Sequence, residues 1–238
     1  TAMQVSNPTR KNELLKIAKN CERVPEYGAT SFYEACQSFW FVQLLLQVES
    51  SGHSISPGRF DQYMYPYFKA DLDSGKLTLD EAAMLVEEFF LSFNRDSDLY
   101  PGVQQGDNGQ SMVLGGVDED GNEVFNLLSE LCLEASRNLL MIDPKINLRV
   151  GKNTPLKVYE LGSELTKAGL GFPQYSNDDI VIYTGYYKEE IIDKIDWLKN
   201  YDNIVVKFGR FIPNQQPHYD PVLGIKLASD NQYAEVIS

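Results

Sequence analysis

The stretch from Phe32 to Val48 is apolar on nearly every side of a helical wheel, with Glu34, Gln37, Ser38, Gln43 and Gln47 as its few polar members. A helix at a protein surface keeps a polar face toward water, so one that is apolar all round belongs in the middle of a large protein. Its start is marked by Thr30 or Ser31 as N-cap, with Glu34 at the offset of a capping box. No apolar run in the sequence approaches the length needed to cross a bilayer. At 238 residues, 43% hydrophobic and 23% charged, the chain has enough length to bury a real core, as one large domain or one domain with a small appendage.

Around that helix the pattern alternates. Leu14, Leu15, Ile17 and Ala18 place a helix over Glu13 to Cys21, which Val24-Pro25-Glu26-Tyr27-Gly28 breaks. After a loop from Ser50 to Gly58, Arg59 to Ala70 reads as a short aromatic helix. Thr78-Leu-Asp-Glu81 is a capping box for an amphipathic helix to about Phe93. A polar, Gly-rich loop from Asp96 to Gln110, suited to an active-site wall or to a solvated connector, leads into a strand over Ser111 to Val117. A helix from about Val124 to Leu139, an alternating strand over Ile146 to Val150, and a helix capped at Thr154-Pro155 and stopped by Gly169 follow. Asp179 to Tyr183 is again strand-like. Strands alternating with helices point to an α/β layer or barrel of parallel-type strands. From residue 183 the character changes to a charged helix over Lys188 to Lys199, a strand over Asn203 to Phe208, and a proline-punctuated loop from Ile212 to Pro221.

Charge and cysteine content exclude several classes. The 21 basic and 34 acidic residues give a net charge of -13 without long blocks of either sign, so neither a nucleic-acid nor a membrane surface is expected as partner. Cys21, Cys36 and Cys132 are widely spaced and odd in number, which argues against a disulfide framework or a zinc site and fits a reducing cytoplasm; no metal ligand set is expected. The opening residues show no signal-peptide series and no convincing initiator context, as expected of a piece of something longer.

With the chain laid out this way, a resemblance can be placed. Cys36-Gln37, Trp40-Phe41, Glu49, Gly52-His53-Ser54, Gly58-Arg59-Phe60-Asp61-Gln62 and Tyr65-Pro66-Tyr67 together resemble the pyruvate formate-lyase-type domain of glycyl radical enzymes. Leu114-Gly115-Gly116-Val117, Asn147-Leu-Arg149, Asn153-Thr-Pro155 and Gly171-Phe-Pro173-Gln174-Tyr175-Ser-Asn177-Asp178 continue it in order. The likeness covers roughly residues 13 to 182. It implies a piece of that family's α/β barrel over 1–182, incomplete on its own, with a divergent C-terminal segment of unknown role over 183–238. An incomplete barrel leaves strand edges and apolar faces uncovered, so association with itself or with the rest of the barrel is expected.

The Gly-His-Ser-Ile-Ser-Pro-Gly-Arg form of the loop is similar to the cobalamin-independent glycerol and propanediol dehydratases. By that resemblance His53 holds, and can protonate, a departing substrate hydroxyl, a task suited to a side chain that titrates near neutrality. Ser54 orients the diol. Arg59 and Asp61 are expected to pair structurally beneath the loop. The aromatic residues Trp40, Phe41, Tyr63, Tyr65, Tyr67 and Phe68 read as core.

The same resemblance implies a glycyl radical installed by an activase that uses S-adenosylmethionine and an iron-sulfur cluster, a barrel cysteine that becomes a thiyl radical, and a nearby Glu. The resemblance places that cysteine after the Asp179 to Ile182 strand in a Cys-x-Glu setting, and no cysteine follows Cys132; Cys21, Cys36 and Cys132 sit in segments that match family helices and read as buried packing thiols. The nearest approach to a glycyl loop, Tyr183-Thr-Gly185-Tyr186, lacks the Arg-Val that precedes the radical glycine and reads as a turn. Two functional readings follow. In one, the chain is part of a glycyl radical lyase, diol dehydratase-like and acting on a small polyol such as glycerol or 1,2-propanediol, inert by itself. In the other, it is a degenerate relative used for binding or assembly. Within the enzyme class, an arylacetate decarboxylase or another relative is the alternative.

Overall fold

A helix apolar on all sides needs partners, and the fold supplies them on one side. The computed structural model describes residues 2–50, 54–95, 109–177, 180–200 and 204–237. The chain divides into two units, the first comprising Thr1–Val117, Glu123–Arg149 and Asn153–Ser176, the second Asp118–Asn122, Val150–Lys152 and Asn177–Ser238.

In the first unit, α1 (Pro8–Cys21) starts one turn earlier than the apolar spacing suggests, because Asn7 caps it by accepting a hydrogen bond from the Arg10 N–H. Helix α2 (Phe32–Ser50) is the long apolar segment. Ser31 accepts the Glu34 N–H, and the Glu34 carboxylate reaches back to the Thr30 N–H and hydroxyl, so both candidate caps are used. The aromatic segment is two helices, α3 (Phe60–Tyr63) and α4 (Tyr65–Asp73), because Pro66 in the first turn of α4 starts a new helix at Tyr65. The Thr78–Glu81 capping box opens α5 (Leu79–Phe93) as expected. Phe32, Phe60, Phe68, Phe90 and Phe93 are fully buried, with Phe60 stacked on Phe89 at 5.0 Å and Phe89 edge-on to Phe93 at 5.0 Å. These five phenylalanines form the centre of the unit, the favoured use of such large apolar surfaces; of the aromatic residues read as core, Phe68 is buried, Trp40, Phe41, Tyr65 and Tyr67 are half-buried, and Tyr63 is exposed.

Strand β1 (Ser111–Gly115) pairs in parallel with β2 (Lys145–Val150), Ser111 opposite Lys145 and Gly115 opposite Arg149, and the sheet order is β1-β2-β3 with β3 (Gln174–Asn177). Between β1 and β2 lies α6 (Leu127–Leu139), and between β2 and β3 lies α7 (Leu156–Lys167). Met112, Leu114, Ile146 and Leu148 are fully buried, whereas Ser111, Val113, Lys145, Asn147 and Arg149 are half-buried. That period of two assigns one face of the sheet to the core and leaves the other partly open. Thr154 does not cap α7: its hydroxyl donates to Glu123, and Pro155 takes the N-cap position.

The second unit is built on β4 (Ile180–Tyr183), α8 (Lys188–Ile195) and β5 (Ile204–Phe208), with β4 parallel to β5. Leu198, Ile204, Val206 and Phe208 form its core together with Ile191, Ile195 and Tyr233. The proline-rich tail contains strands the sequence pattern did not show: β6 (His218–Asp220) and β7 (Ile225–Leu227) form a hairpin, and β8 (Tyr233–Val236) runs antiparallel to β5. Asp220 ties them together, its carboxylate accepting the N–H groups of Val222, Leu223 and Ala234. Gly185 sits exposed in the turn between β4 and α8, so Tyr183-Thr-Gly185-Tyr186 is a connector. Among the described residues no helix is long and apolar enough to cross a membrane, and no group of three His, Cys, Asp or Glu residues is gathered for a metal ion.

Candidate functional site

Residues 54–58 of the loop after α2 run beside β1 and are fastened to it at two points. Near the strand's start, Ser56 Oγ accepts the Ser111 N–H at 3.0 Å and donates to the Ser54 carbonyl at 3.3 Å. Farther along, the Gly58 N–H donates to the Ser111 carbonyl at 3.3 Å and the Gly58 carbonyl accepts the Val113 N–H at 2.7 Å, making a parallel bridge with Met112. Two further bonds from neighbouring helices hold the loop, and a third ties α3 to the segment before α6. Gln43 of α2 donates to the Ile55 carbonyl at 2.9 Å, and Tyr63 of α3 donates to the Pro57 carbonyl at 2.7 Å. Gln62 donates to the Val124 carbonyl at 3.1 Å.

At the strand's far end Arg59 and Asp61 act in parallel rather than on each other. Arg59 Nη2 donates to the Gly115 and Val117 carbonyls at 3.3 and 3.2 Å. Asp61 is wholly buried, and its Oδ2 accepts the Gly115 N–H at 2.7 Å and the Ser129 hydroxyl at 2.6 Å, while Oδ1 has no partner. The expected ion pair is therefore replaced by two separate grips on the turn after β1. A guanidinium satisfies outward-pointing carbonyls and a carboxylate satisfies N–H groups, so a backbone offering both uses one of each. Burial raises the Asp61 pKa above the usual 3.8, opposed by the Gly115 and Ser129 hydrogen bonds and by the charge of Arg59.

Of the substrate-binding candidates, Ser54 is exposed and lies at the β1 end of the loop, in a left-handed backbone conformation with φ 63°. His53 lies outside the described residues, as do all but the last two residues of the polar loop that ends at Gln110. Gln110 itself is fully buried rather than solvated. Its neighbour Gly109, with φ +66°, is the residue that pattern reading misses: a Cβ there would stand 2.8 Å from Ser54 Oγ. Nothing in the spacing separates Gly109 from Gly102 or Gly106 in the same loop. Gly109→Ala is expected to destabilise the chain and to push Ser54 Oγ from its place. Part of the cost should be relieved in the Ser54→Ala background, a coupling of about 0.5–3 kcal/mol in a double-mutant cycle of urea unfolding.

The thiols differ from one another. Cys36 and Cys132 are buried and burial pushes both well up, so they are packing thiols as expected. Cys21 is exposed, with its sulfur accepting a hydrogen bond from the Gln37 amide at 3.1 Å. It lies at the last turn of α1, on the side that Gln37 of α2 covers only in part.

The family model described as pyruvate formate lyase-like matches residues 1–195. The (2S)-3-sulfopropanediol dehydratase of Klebsiella oxytoca is 38% identical over 184 residues, covering 75% of this chain and 22% of the relative. Among solved structures, the propanediol-dehydrating enzyme of Roseburia inulinivorans superposes with a TM-score of 0.72 at 41% identity, over 74% of this chain and 22% of that one. The glycerol-bound, B12-independent glycerol dehydratase of Clostridium butyricum gives 0.69 at 37% identity, over 74% and 23%. The fold and these matches define a piece of a glycyl radical enzyme barrel. The chain belongs to the pyruvate formate lyase-like family, and it spans little more than a fifth of the length of these relatives.

Proposed function

We propose that the chain is part of a glycyl radical lyase of the diol dehydratase kind, acting in the cytoplasm on a small polyol such as glycerol or 1,2-propanediol. The observation that carries this reading is the seating of the loop along β1, which fixes Ser54 beside Gly109 at the start of the strand. Two solved structures to which the chain is similar are named for dehydrating propanediol and for binding glycerol as a glycerol dehydratase. In this reading Ser54 orients one substrate hydroxyl, and His53 holds the departing one and delivers a proton to it.

The radical supplies hydrogen abstraction, and in the intact family a radical S-adenosylmethionine activase installs it. This chain's part is binding and positioning. Cys36 and Cys132 are buried packing thiols and Cys21 is exposed at the end of α1; the sequence has no cysteine after Cys132 to take up that radical step, so the chain alone should be inactive.

An anaerobic assay tests the reading, with aldehyde formation from glycerol and 1,2-propanediol as the signal. Incubated with activase and S-adenosylmethionine, the chain by itself should form none. Turnover should appear when a polypeptide carrying the Cys-x-Glu and glycyl-loop segments is supplied, and should fall at least tenfold with Ser54→Ala. A reconstituted enzyme that decarboxylates an arylacetate or dehydrates only a sulfonated diol would replace the polyol assignment. One inert toward all of these would leave a relative used for binding or assembly.

A further inference from the structure

Among the described residues Lys207 is the only buried lysine, at 7% exposure. It lies in β5, the middle strand of the sheet order β4-β5-β8. Ile204, Val206 and Phe208 of that strand belong to the core of the second unit, so Lys207 stands on the opposite face. In register with it are Tyr183 of β4 and Ala234 of β8. Ala234 is 6% exposed and Tyr183 64%, so this face is covered on the β8 side and open on the β4 side.

The Nζ group of Lys207 donates one hydrogen bond, to the Gly209 carbonyl at 3.1 Å. In a chain of net charge -13 a lysine has carboxylates to choose from, and Lys69, Lys157, Lys188 and Lys199 each meet one. Among the described residues Lys207 meets none. Carboxylates of its own unit are engaged elsewhere, Asp220 with the N–H groups of Val222, Leu223 and Ala234, and Glu235 with Lys188. A buried ammonium without a counter-ion is costly, and shedding its proton removes the cost. Burial accordingly holds the Lys207 amine below the usual 10.5.

We propose that Lys207 is a covalent capture site for small aldehydes, a role independent of the functional reading above. The Nζ lone pair attacks the carbonyl carbon, a proton passes from nitrogen to the carbonyl oxygen, and the carbinolamine loses water to leave an imine. Two features choose this reagent. An imine can remain uncharged, which suits a site that offers Nζ one carbonyl and no counter-ion, whereas a carbamate formed with carbon dioxide would bury a new anion there. An amine at 7% exposure also admits only a small molecule.

The test treats the folded chain at pH 7 with propanal and sodium cyanoborohydride, which traps the imine as a secondary amine, and locates the modified lysines by peptide mass mapping. Lys207 should be modified at least tenfold faster than the exposed Lys194 and Lys226. In urea, where burial is lost, that preference should vanish. A folded chain in which Lys207 reacts no faster than Lys194 and Lys226, or fails to react, would overturn the assignment. So would a preference that survives unfolding, because it would then come from the local sequence and not from the fold.

Discussion

Asp61→Ala is expected to cost about 3 kcal/mol of stability, because it leaves the Gly115 N–H and the Ser129 hydroxyl without an acceptor in a fully buried site. Asp61→Asn should cost less, about 1–2 kcal/mol, since an amide oxygen in the place of Oδ2 accepts both the Gly115 N–H and the Ser129 hydroxyl and only the new NH2, in the place of Oδ1, is left without a partner. The two variants share one pH dependence relative to the wild type. Burial holds the folded-state pKa of Asp61 above 3.8, so the folded chain binds this proton more tightly than the unfolded chain does. The contribution of Asp61 to folding is therefore most favourable below 3.8 and is lost as pH rises through the higher folded value. Neither Asn nor Ala titrates, so the penalties of both variants should shrink by the same amount as pH rises above 3.8, while the difference between them persists across the range. Urea unfolding of the three proteins at several pH values decides the matter. Equal costs for Asn and Ala at neutral pH would mean that Asp61 is an anchor only when ionised.

Much of the first unit is legible in the sequence because its signals are local. The Thr78–Glu81 capping box and the alternation over Ile146 to Val150 each act within a few residues, and each is where the pattern puts it. The family likeness is legible for the same reason, as a series of short motifs in order. What the sequence hides are the contacts that join distant segments. Arg59 and Asp61 are two residues apart, which suggests a pair, but their partners lie more than fifty positions away at Gly115 and Ser129. Gly109 matters because Ser54 is folded against it, a fact no glycine announces locally. The tail strands are missed because β6 and β7 are only 3 residues each, too short for a period of two to emerge, and the prolines around them read as loop.

The second unit offers the sharper test of how the chain is divided, through Gly209→Ala. Gly209 follows β5 with φ +87°, and a Cβ there would stand 2.5 Å from the Asn231 carbonyl oxygen and 3.1 Å from Gln232 Cα. Both neighbours are backbone atoms, and Asn231 is itself fixed by donating to the Tyr187 hydroxyl and the Arg210 carbonyl, each at 2.9 Å. Relief by a side-chain swing is therefore closed off. The left-handed conformation costs roughly 1–2 kcal/mol for a residue with a Cβ and the overpacking a further 1–3 kcal/mol, about 2–5 kcal/mol together. The core of this unit is small, centred on Leu198, Ile204, Val206 and Phe208, so a loss of that size should unfold it. If residues 177–238 fold as their own unit, hydrogen exchange in Gly209→Ala should accelerate across β4, β5 and β8 while the amides of β1, β2 and α5 keep their protection. Accelerated exchange in both regions would mean one cooperative unit, and the barrel piece would then depend on its divergent tail to stay folded.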